Sequence, residues 1–239
     1  MTVSIHWISA DEVLGEALAM RGVFDIVGPV MIGPSSSHTA GAARLGKMAR
    51  IILGEPPIEA VIELHGSFAQ TYRGHGTDKA LVAGLMGFST EDERIKQAID
   101  IAPDHGLKVD FALVDLGDAH PNTAVLYVTG ASGRKVRVVG ASVGGGNIII
   151  TEIDGYPVEL TGEYNTLLTI HQDKPGIISL VTHALSQEGV NIAFMRVSRQ
   201  ERGAQALMII EADQPISEEA LRLVKGIGAV KVALIVPPI

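Results

Sequence analysis

The chain has 239 residues, 46% of them hydrophobic and 19% charged, with a formal net charge of −8 and no cysteine. That composition describes a globular chain with enough apolar material for one large or two modest cores, and it excludes a disordered one. Without thiols this chain forms no disulfide, offers no thiol nucleophile and ligates no iron–sulfur cluster with its own side chains. The acidic balance argues against nucleic acid or an anionic membrane as the main partner. The first ten residues lack the basic-then-apolar pattern of a signal peptide, and no apolar run approaches membrane-spanning length. A cytoplasmic location is the expectation.

Residues 9–19 open on a Ser-Ala-Asp-Glu capping box and read as a short helix, and residues 21–30 read as extended and apolar up to the breaker at Pro34. The stretch that follows organises the chain: Ser35-Ser36-Ser37-His38-Thr39, set between Gly33-Pro34 and a helical run. In that run Leu45, Met48, Ala49 and Ile52 fall at helical spacing, and the helix stops near Gly54, before Pro56-Pro57. The polar cluster therefore stands at or just before a helix N-terminus, where backbone N–H groups lack partners and the dipole favours an anion. A cap needs one hydroxyl. Four hydroxyls and a histidine exceed that need and point to a site for a small carboxylate or phosphate.

Residues 60–65 read as a strand, 66–76 as a polar loop, and Thr77 as the cap of a helix burying Ala80, Leu81, Gly84 and Leu85. A second capping box, Thr90-Glu91-Asp92-Glu93, predicts one helix to about Ile101. Strands are expected at 107–116, 122–129, 135–143 and 147–153, the last returning through an Asp154-Gly155 hairpin into 156–160. From residue 162 the pattern restarts as strand 166–171, helix 177–188, strands 190–199 and 206–212, a helix from Ser217 to Lys225 and strand 230–236. That order, β-α-β-β-α-β, is the ferredoxin-like plan. The expected fold is thus α+β: a mixed sheet with helices over 1–161 and a small ferredoxin-like domain over 162–239.

Three polar points carry chemistry. The first is residues 35–39. The second joins His65-Gly66-Ser67-Phe68-Ala69-Gln70 to Gly74-His75-Gly76-Thr77-Asp78. The third is Gly144-Gly145-Gly146-Asn147. Two of them lie between a strand and a helix, the arrangement that gathers loop groups at one edge of an α/β layer. His65 is also readable as a satisfied strand histidine, Asp78 as a helix first-turn anion and the triple glycine as a turn. His6, His105, His120 and His183 have no supporting pattern. In the C-terminal part, Gln172-Asp173-Lys174-Pro175-Gly176 is a turn at a helix start and Asn191 follows a helix stop. Alone, these read as loop chemistry.

The stretch from Asn165-Thr166-Leu167-Leu168 through Asp173-Lys174-Pro175-Gly176-Ile177 to Glu188-Gly189-Val190-Asn191-Ile192 resembles an ACT domain, in particular that of phosphoglycerate dehydrogenases. The resemblance implies side-by-side dimerisation and places Asp173, Gly176 and Asn191 around an amino-acid site at that interface. Over nearly the full length, the I-G-P-S-S-S-H-T stretch, then G-S-F-A-Q-T-Y-R-G-H-G-T-D, then V-G-G-G-N-I and the ACT pattern are similar, in order, to iron–sulfur-dependent L-serine dehydratases. The likeness is narrower to the beta chain of the two-chain form, and the family's N-terminal region, 1–161 here, also resembles the allosteric substrate-binding domain of some phosphoglycerate dehydrogenases. The beta-chain likeness implies an alpha chain that carries a cysteine-ligated 4Fe-4S cluster, whose open iron draws off the serine hydroxyl, with pyruvate and ammonia as products.

Elimination of water also needs a base for the Cα proton and donors for the carboxylate. On that resemblance His38 is the expected base, and Ser35, Ser36, Ser37 and Thr39 bind L-serine. His75, Thr77 and Asp78 orient His38 or line the same pocket, and no metal ligand is expected in this chain. The cluster either completes a catalytic site against the alpha chain or forms a separate regulatory site. A stand-alone amino-acid-sensing protein is the alternative.

Overall fold

A computed structural model describes residues 31, 33 and 35–239. The helix expected at 9–19 and the extended run at 21–30 lie outside the described residues. Residues Ser36–Gly41 form a single π-helical turn that runs directly into α1 (Ala42–Leu53). The polar cluster is therefore itself helical, with Ser35 in extended geometry as its N-cap. Helix α1 buries Leu45, Met48, Ala49 and Ile52 and stops at Gly54, which is left-handed (φ 81°).

Strand β1 (Pro57–Leu64) follows. Residues expected as a polar loop then form helix α2 (Gly66–His75). The reason is local. His65 enters in extended geometry, Gly66 turns the chain at positive φ, Phe68 and Tyr72 stand four residues apart, and left-handed Gly76 ends the helix. Helix α3 (Thr77–Met86) starts immediately. Its N-cap is Gly76; Thr77 makes no capping bond and is buried. The helix expected from the second capping box is broken into a 3₁₀ turn, Glu93–Gln97, and a short helix α4 (Ala98–Ile101). The side chain that caps the 3₁₀ turn is Asp92, which accepts from the Arg94 N–H.

Strands β2 (Lys108–Leu113), β3 (Thr123–Gly130), β4 (Lys135–Gly144), β5 (Asn147–Ile153) and β6 (Tyr156–Leu160) complete a six-stranded sheet in the order β2-β1-β3-β4-β5-β6. Only β1 and β2 run parallel; the other pairs are antiparallel. Helix α1 packs between this sheet and α3. The two helices cross where neither carries a side chain: a Cβ on Gly84 would run into the Ala43 carbonyl, and one on Gly46 into the Leu81 carbonyl.

The second sheet is β7 (Asn165–Gln172), β8 (Ile192–Arg199), β9 (Gln205–Ala212) and β10 (Val230–Val236), with α5 (Ile177–Gln187) and α6 (Glu218–Lys225). Its order β10-β7-β9-β8 is the ferredoxin-like arrangement the sequence predicts. One face meets α5 and α6 through Leu167, Val181, Leu185, Leu221 and Val224. From the other face Leu168, Leu207, Ile209 and Val236 join one apolar cluster with Met48, Ile52 and Leu160 of the first half. Edge contacts add to this: Arg196 pairs with Glu159 at 3.1 Å, and Ser198 Oγ donates to the Pro157 carbonyl at 2.6 Å.

Candidate functional site

The first two polar points of the sequence meet in space. His38 sits in the π-helical turn, and its backbone N–H donates to Ser35 Oγ at 3.2 Å. The same hydroxyl lies 3.3 Å from His38 Nδ1, and Ser67 Oγ, on α2, lies 3.1 Å from Nε2. Each ring nitrogen thus has one hydroxyl, and a hydroxyl serves either tautomer as donor or acceptor. The ring stacks edge-on against Phe68 (centroids 5.4 Å) and against His75 (4.7 Å). The sequence groups Ser67 and Phe68 in the second polar point, but a reading of 66–76 as loop gives neither a role. Their helical placement was the missing signal, carried in the Phe68–Tyr72 spacing.

Burial, and secondly the neighbouring His75, push the His38 pKa below the ordinary histidine value. That shift favours the uncharged imidazole at neutral pH, the form a general base needs. A carboxylate set close to a neutral base would raise that pKa again; none contacts His38 among the described residues. The single π-helical turn is a rare conformation that is over-represented at functional sites.

Thr39 is buried, and its Oγ1 has no hydrogen-bond partner. It lines a cavity of about 270 Å³ together with Gly33, His75, Gly76, Lys79 and Arg73. Ser36 and Ser37 are half-buried and make no side-chain hydrogen bond among the described residues. Thr77 is wholly buried at the α3 start, with Oγ1 also unpartnered. Asp78 is turned elsewhere: its Oδ1 accepts from the Lys79 N–H at 2.8 Å, and it lines a separate cavity of about 480 Å³ with Tyr72 and Phe111. His38, His75, Ser35 and Thr39 thus form one group, and Asp78 lies outside it.

The third polar point closes the same neighbourhood. Gly144, Gly145 and Gly146 make the β4–β5 turn, all three at positive φ (107°, 60° and 85°), where a side chain is strained. Arg44 on α1 donates from Nη1 to the Gly146 carbonyl at 3.0 Å. Ser142, just before the turn, is fully buried against Gly41, where any Cβ would collide with its hydroxyl. His65 stands apart as a satisfied strand-end histidine: its Nδ1 accepts from the Leu116 N–H at 3.1 Å.

At the other end of the chain, Asp173 accepts from Arg199 Nη1 at 2.9 Å and from the Gly203 N–H at 3.0 Å. The Gly203 amide, and then Arg199, hold its carboxyl below the usual carboxylate range. Gly176, at φ 90°, starts α5. Asn191 donates from Nδ2 to Asp213 at 2.5 Å. Asp173 precedes α5 and Asn191 follows it. The eleven-residue helix between them is about 16 Å long, so within one chain they do not share a pocket.

Comparison with known proteins bears on both ends. The sequence profile described as "Serine dehydratase beta chain" matches residues 22–153, and the profile "ACT domain" matches residues 165–229. The chain is 47% identical over 201 residues to a protein named "Probable L-serine dehydratase, beta chain" of Bacillus subtilis, covering 84% of this chain and 91% of that one. It is 37% identical over 205 residues to the "L-serine dehydratase, beta chain" of Peptoniphilus asaccharolyticus, covering 85% and 92%. A "D-3-phosphoglycerate dehydrogenase" of Synechocystis is 26% identical over 196 residues, which is 80% of this chain and 34% of that protein.

Proposed function

The chain belongs to the serine dehydratase beta-chain family, and from that premise we propose that it is the beta subunit of an iron–sulfur L-serine ammonia-lyase. With a cluster-bearing alpha chain it would convert L-serine to aminoacrylate and water, and the enamine then hydrolyses to pyruvate and ammonia. The observation that carries this reading is His38: an uncharged imidazole fixed between two serine hydroxyls, beside His75 and an open cavity.

Removing a Cα proton requires a positioned base of suitable pKa. His38 takes that proton at one ring nitrogen while a hydroxyl at the other fixes the ring plane. His75, packed edge-on, limits rotation of the imidazole. Ser36, Ser37 and Thr39 supply unspent hydroxyls for the polar groups of L-serine.

The residues of this chain do not fit a 4Fe-4S cluster. There is no cysteine, and the described residues hold no group of three histidine, aspartate or glutamate side chains able to bind a metal. The cluster therefore belongs in this reading to the alpha chain, and no step of this chain runs through it. The unspent hydroxyls and open cavity support a half-site that a second chain completes.

Strand β8 is an edge strand, and Phe194, Met195 and Val197 on it, with Ile178 and Leu180 on α5, are exposed. That surface supports side-by-side pairing of two ACT domains. Only such pairing would bring Asp173 and Asn191 of different copies towards one amino-acid site. The reading divides the chain into 1–161 and 162–239, and places it in the cytoplasm with neither nucleic acid nor membrane as partner. Among the described residues no helix is long and apolar enough to cross a membrane.

The test is an anaerobic assay of pyruvate release from L-serine by this chain alone, by the reconstituted alpha chain alone and by the two mixed. Activity on mixing only is the expected result. An inactive mixture with a verified cluster, together with amino-acid binding by this chain alone, would replace the lyase reading by that of a stand-alone sensor.

A further inference from the structure

The cavity behind His75 has a one-sided charge. It lies between the first helical turn, the α2–α3 junction and the 3₁₀ turn at Glu93–Gln97, and among the described residues Arg73, Lys79 and Lys96 line it with no carboxylate. Among the described residues none of the three makes an ion pair, whereas Arg94, on the same 3₁₀ turn, forks onto Asp92. Asp78, next to Lys79, lines the other cavity, which Arg73 also borders.

Two further observations point to a ligand. Thr39, only 3% exposed, lines the cavity with an unpartnered Oγ1, and a buried hydroxyl left unpaired is costly unless something completes it. The cavity, at about 270 Å³, also matches the scale of a three-carbon acid with its water. His75 forms its wall, and the other side of His75 meets the His38 ring at 4.7 Å.

We propose that this cavity seats the carboxylate of the three-carbon substrate and product, held by Arg73, Lys79 and Lys96 with Thr39 Oγ1 as a neutral donor. The assignment rests on the lyase reading for the identity of the acid. Seated there, the carboxylate fixes one end of L-serine against His75. The serine cluster is then left for the ammonium and hydroxyl end.

The experiment titrates pyruvate, L-serine, L-serinamide and sulfate separately into the full chain labelled with nitrogen-15, following the amides of Gly74, Gly76 and Lys79. Pyruvate and L-serine are expected to give saturable shifts, and L-serinamide, which lacks the carboxylate, none. The double substitution Arg73→Gln, Lys79→Gln should weaken binding at least about tenfold, the scale of one lost charge-assisted hydrogen bond, and Lys79→Arg should retain it. In the active complex the same double substitution should raise KM for L-serine by a similar factor and leave kcat within about threefold. Equal shifts from L-serinamide, shifts indifferent to the substitutions, or sulfate competing as well as pyruvate with KM unmoved would each overturn the proposal. A complex that stays inactive while pyruvate still binds the wild-type chain would sink the lyase reading and leave the cavity a carboxylate site.

Discussion

The two halves of the chain treat their polar groups in opposite ways. Among the described residues, the hydroxyls of Thr39 and Thr77 near His38 are buried without partners, and three cations face an open cavity with no counter-charge. In the ACT half, the polar side chains that the sequence marks for a ligand are already spent, Asp173 on Arg199 and Gly203, and Asn191 on Asp213. Unpaired buried groups cost free energy, and folding retains them where a ligand or a second chain completes them. A ligand at the ACT half would first have to displace bonds that the chain makes to itself. The comparison favours the proposal that the chemistry lies in the N-terminal half.

Breaking the support of the polar half should have the largest effect. Gly84→Ala forces a methyl group into the Ala43 carbonyl where α1 and α3 cross, and it should destabilise the chain by on the order of 3 kcal/mol. Urea unfolding measures this directly; a loss below about 1 kcal/mol would mean the crossing yields more easily than its geometry implies. Next comes Ser67→Ala, which removes the hydroxyl at His38 Nε2 and leaves Ser35 as the one hydroxyl on the ring. Activity of the complex should fall about tenfold, the worth of one hydrogen bond, with little change in stability.

The pH profile sharpens the account of His38. Its pKa lies below 6.5, so the rate should hold through neutrality and fall only as pH drops through that lowered value and the base becomes protonated. Removing the like-charge neighbour in His75→Gln should move this acid limb upwards, but only part of the way to 6.5, because burial is the larger cause and stays. A limb that does not move would assign the depressed pKa to burial alone.

The smallest effect belongs to the ACT half. The Asp173 carboxyl is held below its ordinary range by the Gly203 amide and Arg199, so its contribution is present above the ordinary aspartate pKa. That contribution is lost as pH falls through the depressed value. Asp173→Asn should lower Tm at neutral pH by only a few degrees, as exposed charge pairs do, and the difference from the parent should vanish in strong acid.

Most of the sheet framework was legible because strand signals are local. The run Asn147–Ile153, the Asp154-Gly155 turn and the return in Tyr156–Leu160 fall where period and turn chemistry put them. Helix α2 was not legible as a helix. Its three glycines read as loop, yet Gly66 and Gly76 act at its two ends through positive φ. The second capping box misled in the opposite direction, since Asp92 rather than Thr90 supplies the cap and the helix divides. At the site, the link between His38 and His75 could be anticipated from residue types. The contact of Ser67 with His38 and the cation-lined cavity could not, since both depend on how the helices meet.

The most direct measurement is kcat of the reconstituted complex carrying His38→Ala, taken alongside the cluster's absorption spectrum and the mass of the complex. With cluster and assembly intact, kcat should fall by about 10²–10⁴, the range for a removed general base. A kcat within about threefold of the parent would contradict the assignment of the base to this chain and leave the polar cluster a regulatory site.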